Sequence, residues 1–113
     1  MLAKENRLRK NSEFRVVYKK GQVYRSRFFI LRCLKRNDSG RTRIGIAPSR
    51  RIKKAVERNK MKRRVRELFQ QQHMIKEGMD LVLNIKAEAT TASFYDLKKD
   101  FEELLKKSRL RLN

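Results

Sequence analysis

Residues 51–72, RIKKAVERNKMKRRVRELFQQQ, decide the fold of this chain. The stretch has no Gly or Pro and is rich in good helix formers, so it predicts a long helix. At about 100° per residue, Met61, Val65, Leu68 and Phe69 fall on one side of that helix. The sequence therefore predicts an amphipathic helix that packs onto a core through this side.

The segments that flank this helix predict strands of a small sheet. Residues 43–47, RIGIA, read as a strand that Pro48 ends, because proline has no N–H to donate. Residues 79–85, MDLVLNI, read as a further strand, so that strand, helix and strand form one unit. Residues 23–34 are rich in β-branched and aromatic types and precede turn residues at 37–40, which predicts a strand and then a hairpin to the strand that Pro48 ends.

Shorter helices are predicted near both ends of the chain. Residues 11–13, Asn-Ser-Glu, supply an N-cap and an acid in the first turn, and Gly21 supplies a stop, so we expect a helix over roughly residues 12–20. Apolar residues recur at helical spacing near the C-terminus, which predicts a final helix that reaches about Lys107.

Together these elements predict a single α+β domain over residues 1–113, with the order α-β-β-α-β-α. Helices are expected to pack on a small mixed sheet as a sandwich. A length of 113 residues with 39% hydrophobic residues suffices for one modest core. Residues 1–10 are rich in Lys and Arg with little periodicity, which predicts a basic N-terminal arm.

The charge balance points to a polyanionic partner. The chain has 32 Lys and Arg residues against 12 Asp and Glu, a net charge of +20. This charge exceeds what solubility needs and destabilises the compact state through self-repulsion. Nucleic acid is the leading candidate, because each phosphate that Lys or Arg neutralises releases counterions. An anionic membrane is the alternative polyanion, but no run approaches the roughly 18 apolar residues of a spanning helix, so we expect no membrane partner.

The residue types that carry catalysis or bind metals are sparse. The chain has one cysteine, Cys33, and one histidine, His73, so neither a zinc cluster nor a Cys–His nucleophile pair is expected. Cys33 lies in an apolar run and is expected in the core. The acids show no Asp-x-Asp or His-Glu pair, so a two-metal nuclease site is not evident. The first residues lack the apolar middle of a secretory signal, and we expect the protein in the cytoplasm.

A second face of the central helix is a candidate RNA-binding stripe. Between Arg50 and Arg66 there are ten basic residues and one acid. A solvated helix face normally alternates the sign of its charges, whereas like charges at i,i+4 repel by a few tenths of a kcal/mol. An ordinary solvated face is therefore the weaker interpretation. The stripe lies about a third of a turn from the core side and carries Ala55, Asn59, Lys62, Arg63 and Arg66.

Residues 54–67, KAVERNKMKRRVRE, closely resemble the signature of the bacterial ribonuclease P protein family. The core of that signature is Arg-Asn-Arg (or Lys)-x-Lys-Arg-x-x-Arg-Glu. Some relatives have Gly-Asn where this chain has Lys53 and Lys54, and Arg32 stands at a place that is often aromatic. The resemblance covers almost the whole chain, and its other matching positions are Asn6 to Leu8, Phe14, Tyr18, Arg43 to Ile46 and Asp80 to Leu83.

The resemblance implies the protein subunit of an endoribonuclease that removes the 5′ leader of precursor tRNA. It implies two partners, ribonuclease P RNA and precursor tRNA, and no small-molecule substrate. The RNA subunit would carry out the hydrolysis with Mg²⁺ that it mainly holds itself, so the protein alone is expected to be non-catalytic. The resemblance also implies a left-handed strand–helix–strand crossover, although such connections are right-handed in most proteins.

The resemblance further implies two groups of site residues. The residues implied to bind RNA are Lys53, Lys54, Arg58, Asn59, Lys60, Lys62, Arg63 and Arg66. A cleft between the first helix and the sheet would accept the single-stranded leader through Phe14, Tyr18, Phe28 and Arg32, where aromatic rings can stack on any base. Without the resemblance, core packing is the better interpretation of Phe14 and Phe28. A ribosomal or other structural RNA-binding protein explains the charge and the fold equally well, and only the signature and the cleft aromatics discriminate against it.

Overall fold

The computed structural model describes residues 7–38, 40–72 and 75–110. Residues 1–6 of the predicted basic arm and His73 lie outside these ranges. The elements, in chain order, are α1 (Asn11–Lys20), β1 (Gln22–Arg25), β2 (Phe29–Lys35), β3 (Arg43–Pro48), α2 (Ala55–Gln70), β4 (Met79–Ile85), a short 3₁₀ helix (Ala87–Thr91) and α3 (Phe94–Lys107). The predicted α+β class is confirmed, with one strand more than expected.

The extra strand arises because the predicted strand over residues 23–34 is two strands. The chain reverses at residues 26–28, and β1 pairs antiparallel with β2. The carboxylate of Asp100, on α3, accepts hydrogen bonds from the Ser26 hydroxyl at 2.7 Å and from the Phe28 N–H at 3.0 Å. A residue more than 70 positions away thus holds this turn, which is why the local sequence pattern did not predict it.

The predicted hairpin between β2 and β3 is wrong, because β4 lies between them. The strand order is β1-β2-β4-β3, with β4 antiparallel to β2 and parallel to β3. The apolar run of β4 suits this central position, since a strand buried on both faces reads as a nearly continuous hydrophobic stretch. β3 is an edge strand and ends at Pro48 as predicted.

The β3–α2–β4 connection is left-handed, as the resemblance implies. The side chain of Ile85 enters the core shared with α2, while its carbonyl accepts a hydrogen bond from Ser49, the residue after β3. When a β-strand of L-residues is drawn running upward and a residue's side chain points toward the viewer, the carbonyl of that residue points to the right. With α2 in front, β3 therefore lies to the right of β4, and the chain crosses from right to left. This is the rare hand for such a unit.

The two faces of the sheet have different covers. One face packs against α2 and α3 and forms the main core, in which the rings of Phe29 and Phe69 both meet Phe101 edge to face, at 6.2 and 4.8 Å. The predicted core side of α2 is confirmed, since it buries Met61, Val65, Leu68 and Phe69. On the other face, α1 covers only part of the sheet. The different covers leave one open sheet surface beside α1.

Candidate nucleic-acid interface

The predicted stripe on α2 is mostly on the side of the helix that faces solvent. Ala55, Asn59 and Arg63 are exposed, while Lys62 and Arg66 are half-buried. The latter two line a cavity of about 180 Å³ together with Phe14 of α1 and side chains of β3. The structure therefore brings the basic stripe and an aromatic residue of α1 to one side of the molecule.

The start of α2 is shaped by Arg58. Its guanidinium donates hydrogen bonds to the carbonyls of Ile52, at 2.9 Å, and Lys53, at 2.7 Å. The helix accordingly starts at Ala55 rather than at residue 51, and the segment before it closes back on the helix. One guanidinium nitrogen of Arg58 is occupied in this way, whereas Lys53, Lys54 and Lys60 are exposed.

An ion-pair network holds α1 against the sheet. Arg43 of β3 donates to both carboxylate oxygens of Asp80 on β4 at 2.8 Å, and it also pairs with Glu13 of α1. The pKa of Arg43 is raised, first by its hydrogen bonds to Asp80 and then by the nearby negative charges. The pKa of Glu13 is lowered, chiefly because its carboxylate accepts a backbone hydrogen bond from Lys10. Sequence reasoning missed this network. The signal that could have found it is that Asp80 and Asn84 stand four residues apart in an apolar strand, so both lie on one face and make that face polar.

The helix N-cap differs from the prediction at the same place. Helix α1 starts at Asn11, and its N-cap is Lys10 rather than a residue of the Asn-Ser-Glu triplet. The Glu13 carboxylate accepts from the backbone N–H groups of Arg9 and Lys10, at 3.2 and 3.0 Å. As the N3 residue, Glu13 thus satisfies the backbone N–H of the N-cap residue and of the residue before it, which is the role of the acid in a capping box.

The open part of the sheet face forms a groove beside α1. The groove has a volume of about 430 Å³, and Tyr18 lies at its edge with 43% of its surface exposed. The Arg32 guanidinium stacks over the Tyr18 ring at 4.6 Å and hydrogen-bonds to the Asn84 amide, which donates to the Tyr18 hydroxyl at 2.7 Å. Other lining residues are Ile30, Ser49, Arg51, Ile85, Lys86, Ala87 and Glu88.

The Tyr18, Arg32 and Asn84 cluster suits an unpaired nucleotide strand. An aromatic ring offers a stacking surface, an amide offers donors and acceptors, and Arg and Lys at the rim offer charge to phosphate. At this place the resemblance led us to expect an aromatic ring in some relatives, and here the Arg32 guanidinium stacks on the Tyr18 ring. Asn84 was missed from the sequence, because its position on the Arg32 face depends on how β2 pairs with β4.

The two phenylalanines of the expected cleft lie elsewhere. Phe28 is 4% exposed and belongs to the main core, so it does not line the groove with Arg32 as expected. The reason is the chain reversal at residues 26–28, which places Phe28 before the start of β2 at Phe29. Phe14 is half-buried and packs directly over Gly45 of β3, where an added Cβ would lie 2.5 Å from the ring. It supports the wall of the interface beside Lys62 rather than lining the groove itself.

The described residues offer little to metals or bilayers. Within residues 7–38, 40–72 and 75–110, no three His, Cys, Asp or Glu side chains meet as a possible metal site. In the same ranges, no helix has the length and apolar character needed to span a membrane. Cys33 is buried as predicted, and burial raises the pKa of its thiol to about 12.

Comparison with known protein sequences gives matches along nearly the full length. Residues 2–109 match the family model described as Ribonuclease P. The ribonuclease P protein component of Bacillus pumilus is 35% identical over 108 residues, which are 95% of this chain and 91% of that protein. The protein of the same name from Pseudanabaena is 35% identical over 112 residues, 97% of each chain.

Solved structures with this fold carry similar names. The ribonuclease P protein of Staphylococcus aureus superposes with a TM-score of 0.85 at 28% identity, over 96% of this chain and 99% of that one. The ribonuclease P protein of Thermotoga maritima superposes with a TM-score of 0.79 at 29% identity, over 89% and 96% of the two chains.

Proposed function

Because this chain belongs to the bacterial ribonuclease P protein family, as an RNA-binding subunit in tRNA processing, we propose that two parts of its surface bind two different RNAs. The exposed side of α2 binds the RNA subunit of ribonuclease P. The groove beside α1 binds the 5′ leader of precursor tRNA. Family membership sets aside the alternative of a ribosomal protein, which the sequence pattern alone left open.

The observation that carries this proposal is that α1 joins the two surfaces. Phe14 of α1 lines a cavity with Lys62 and Arg66 of α2, and Tyr18, one helical turn later, stacks under Arg32 at the groove. A strand that leaves the groove along α1 therefore reaches the basic side of α2. Arg63 and Asn59 are exposed there to contact phosphates, as a fork of donors and as an amide.

The protein's part in the reaction is to bind and position RNA, while the RNA subunit performs the hydrolysis. Among the described residues, no three acids, His or Cys come together as a possible metal site of the protein's own. We assign the Mg²⁺ of the reaction mainly to the RNA subunit, whose phosphates supply the oxygen ligands that Mg²⁺ prefers. Basic side chains lower the electrostatic cost of bringing two RNA chains together, a cost that Mg²⁺ otherwise offsets. The proposed place of this work is the cytoplasm.

The direct test is to reconstitute cleavage from the purified protein, ribonuclease P RNA and precursor tRNA. The protein should stimulate cleavage most at low Mg²⁺ concentration and should give no cleavage without the RNA. A variant with Arg63→Ala should stimulate less, and Lys99→Ala, an exposed lysine on α3, serves as the matched control. Equal stimulation at every Mg²⁺ concentration, or cleavage by the protein alone, would overturn the proposal.

A further inference from the structure

A second basic pocket lies at the other edge of the sheet. It has a volume of about 690 Å³ and is lined by residues of β1, β2, the start of β4 and the end of α3. In the sheet order, β1 and β3 are opposite edges, and α2 follows β3. The pocket is therefore separated from the start of α2 by the width of the sheet. Its basic lining residues are Lys20, Lys35, Lys76, Lys107 and Arg109.

Among the described residues that line the pocket, no carboxylate balances this charge. The lining has five basic side chains and no acidic one. Within residues 7–38, 40–72 and 75–110, Lys20, Lys35, Lys76 and Arg109 form no ion pair, whereas Arg36 and Arg43 each pair with acids. The remaining basic group, Lys107, donates a hydrogen bond from its ammonium to the carbonyl of Arg25 at 3.1 Å. Like charges left together repel one another, which favours a polyanion that covers them.

Helix dipoles explain only part of this cluster. Lys20 and Lys107 lie in the last turns of α1 and α3, where a cation interacts favourably with the negative end of the helix. Lys35 is the last residue of β2 and Lys76 lies between α2 and β4, so these two gain nothing comparable. Their convergence on one pocket needs another explanation.

Arg109 provides an independent sign of function. Its φ is +61°, and it is the only non-glycine residue with positive φ in the described part of the chain. It stands where a helix that ends in a Schellman motif normally has glycine, with Leu110 N–H bonded to the Leu105 carbonyl at 3.1 Å. An L-residue other than glycine is strained in this conformation. In this strained conformation, Arg109 is exposed and lines the pocket with its side chain.

We propose that this pocket binds the phosphodiester backbone of a second RNA segment, apart from the segment on α2 and the leader in the groove. The half-buried ring of Tyr24 and the side chain of Met79 give the pocket an apolar floor against which a base can pack. More than half of the net charge of +20 lies outside residues 50–66, so an RNA confined to α2 leaves it uncovered. RNA is favoured over an acidic protein because RNA is already the long polyanion that this family binds. The inference goes beyond the proposed division of α2 and the groove.

The test is the affinity of the full-length protein for ribonuclease P RNA and for precursor tRNA, each measured at several salt concentrations. Arg109→Gly and Lys76→Ala should each lower affinity for one of these RNAs roughly threefold to tenfold and reduce the salt slope by about one. Arg109→Gly should leave Tm unchanged or raise it, because glycine relieves the positive φ. Lys99→Ala, outside the pocket, should change affinity by less than about twofold.

The outcome also separates this inference from the proposed function. In one outcome, the pocket variants keep normal affinity and a normal salt slope for both RNAs while Arg63→Ala binds RNA more weakly. That result would overturn the proposed binding of a second RNA segment in the pocket and would leave the proposed role of α2 intact. That result would be expected if an acidic protein were the partner. Normal binding by Arg63→Ala, with losses in the pocket variants, would instead contradict the role of α2 and support the pocket.

Discussion

The two faces of the sheet are built from the same strands, but one forms the core and the other is open to a ligand. Leu83 and Asn84 are neighbours on β4, yet Leu83 is fully buried under α2 and α3 and Asn84 hydrogen-bonds to Tyr18 at the groove. One face is closed by two helices, while the other is covered only in part by α1. Because the core forms on the closed side, the open side can present Arg32 and Asn84 to a ligand, beside Tyr18 of α1.

A substitution on the closed face should cause the greatest loss in the free energy of unfolding. Leu83→Ala should lower the free energy of unfolding by about 2–5 kcal/mol, because it removes buried contacts and leaves a cavity. Asn84→Ala, its neighbour on the open face, should cost no more than about 1.5 kcal/mol for its partly exposed hydrogen bonds. Urea unfolding of both variants gives the two values. A larger loss for Asn84→Ala than for Leu83→Ala would reverse the assignment of the faces.

A smaller effect is expected where α1 meets the open face. In Gly45→Ala, the new methyl group would lie 2.5 Å from the Phe14 ring, so either that ring or α1 must shift. Overpacking of this kind typically costs about 1–3 kcal/mol. The double variant with Phe14→Leu should lose less than the sum of the two single losses, because the clash is removed. Strict additivity in urea unfolding would show that the ring does not pack on Gly45.

A third prediction concerns pH and the network that holds α1. The pKa of Glu13 in the folded protein is below its usual value of 4.5, so its contribution to stability is present above that value and is lost as pH falls through the folded pKa. Unfolding measured from neutral to acidic pH should therefore show a flatter decline in Glu13→Gln than in the unaltered protein. The effect should be smaller than that of Gly45→Ala, because Glu13 is partly exposed. An equally steep decline in both proteins would exclude this role for Glu13.

The smallest effect on stability is expected on the exposed side of α2. Arg63→Ala should change the free energy of unfolding by no more than about 0.5 kcal/mol, because the side chain is exposed. It should nevertheless weaken binding to ribonuclease P RNA, with a loss of about one in the salt slope. Circular dichroism and RNA affinity measured on the same sample check both parts. Unfolding of Arg63→Ala would contradict the orientation of α2.

The sequence predicted what depends on local pattern and missed what depends on pairing between distant segments. Helical spacing was sufficient to orient α2, with Met61 buried and Arg63 exposed. The position of Phe28 could not be predicted in this way, because Asp100 holds the turn that moves it into the core. Arg32 and Asn84 meet only because β4 pairs with β2. The turn residues at 37–40 had instead predicted that β3 pairs with β2 as a hairpin.

If the open face of the sheet binds the 5′ leader, a substitution in the groove should affect precursor tRNA and spare mature tRNA. Tyr18→Ala in the reconstituted enzyme should weaken binding of leader-bearing tRNA by about 1–3 kcal/mol for each lost stacked base and leave mature tRNA nearly unaffected. Tyr95→Ala, an exposed tyrosine on α3, is the control and should affect neither. Equal losses of affinity for both tRNAs in Tyr18→Ala, with the free energy of unfolding unchanged, would show that the leader does not bind beside Tyr18.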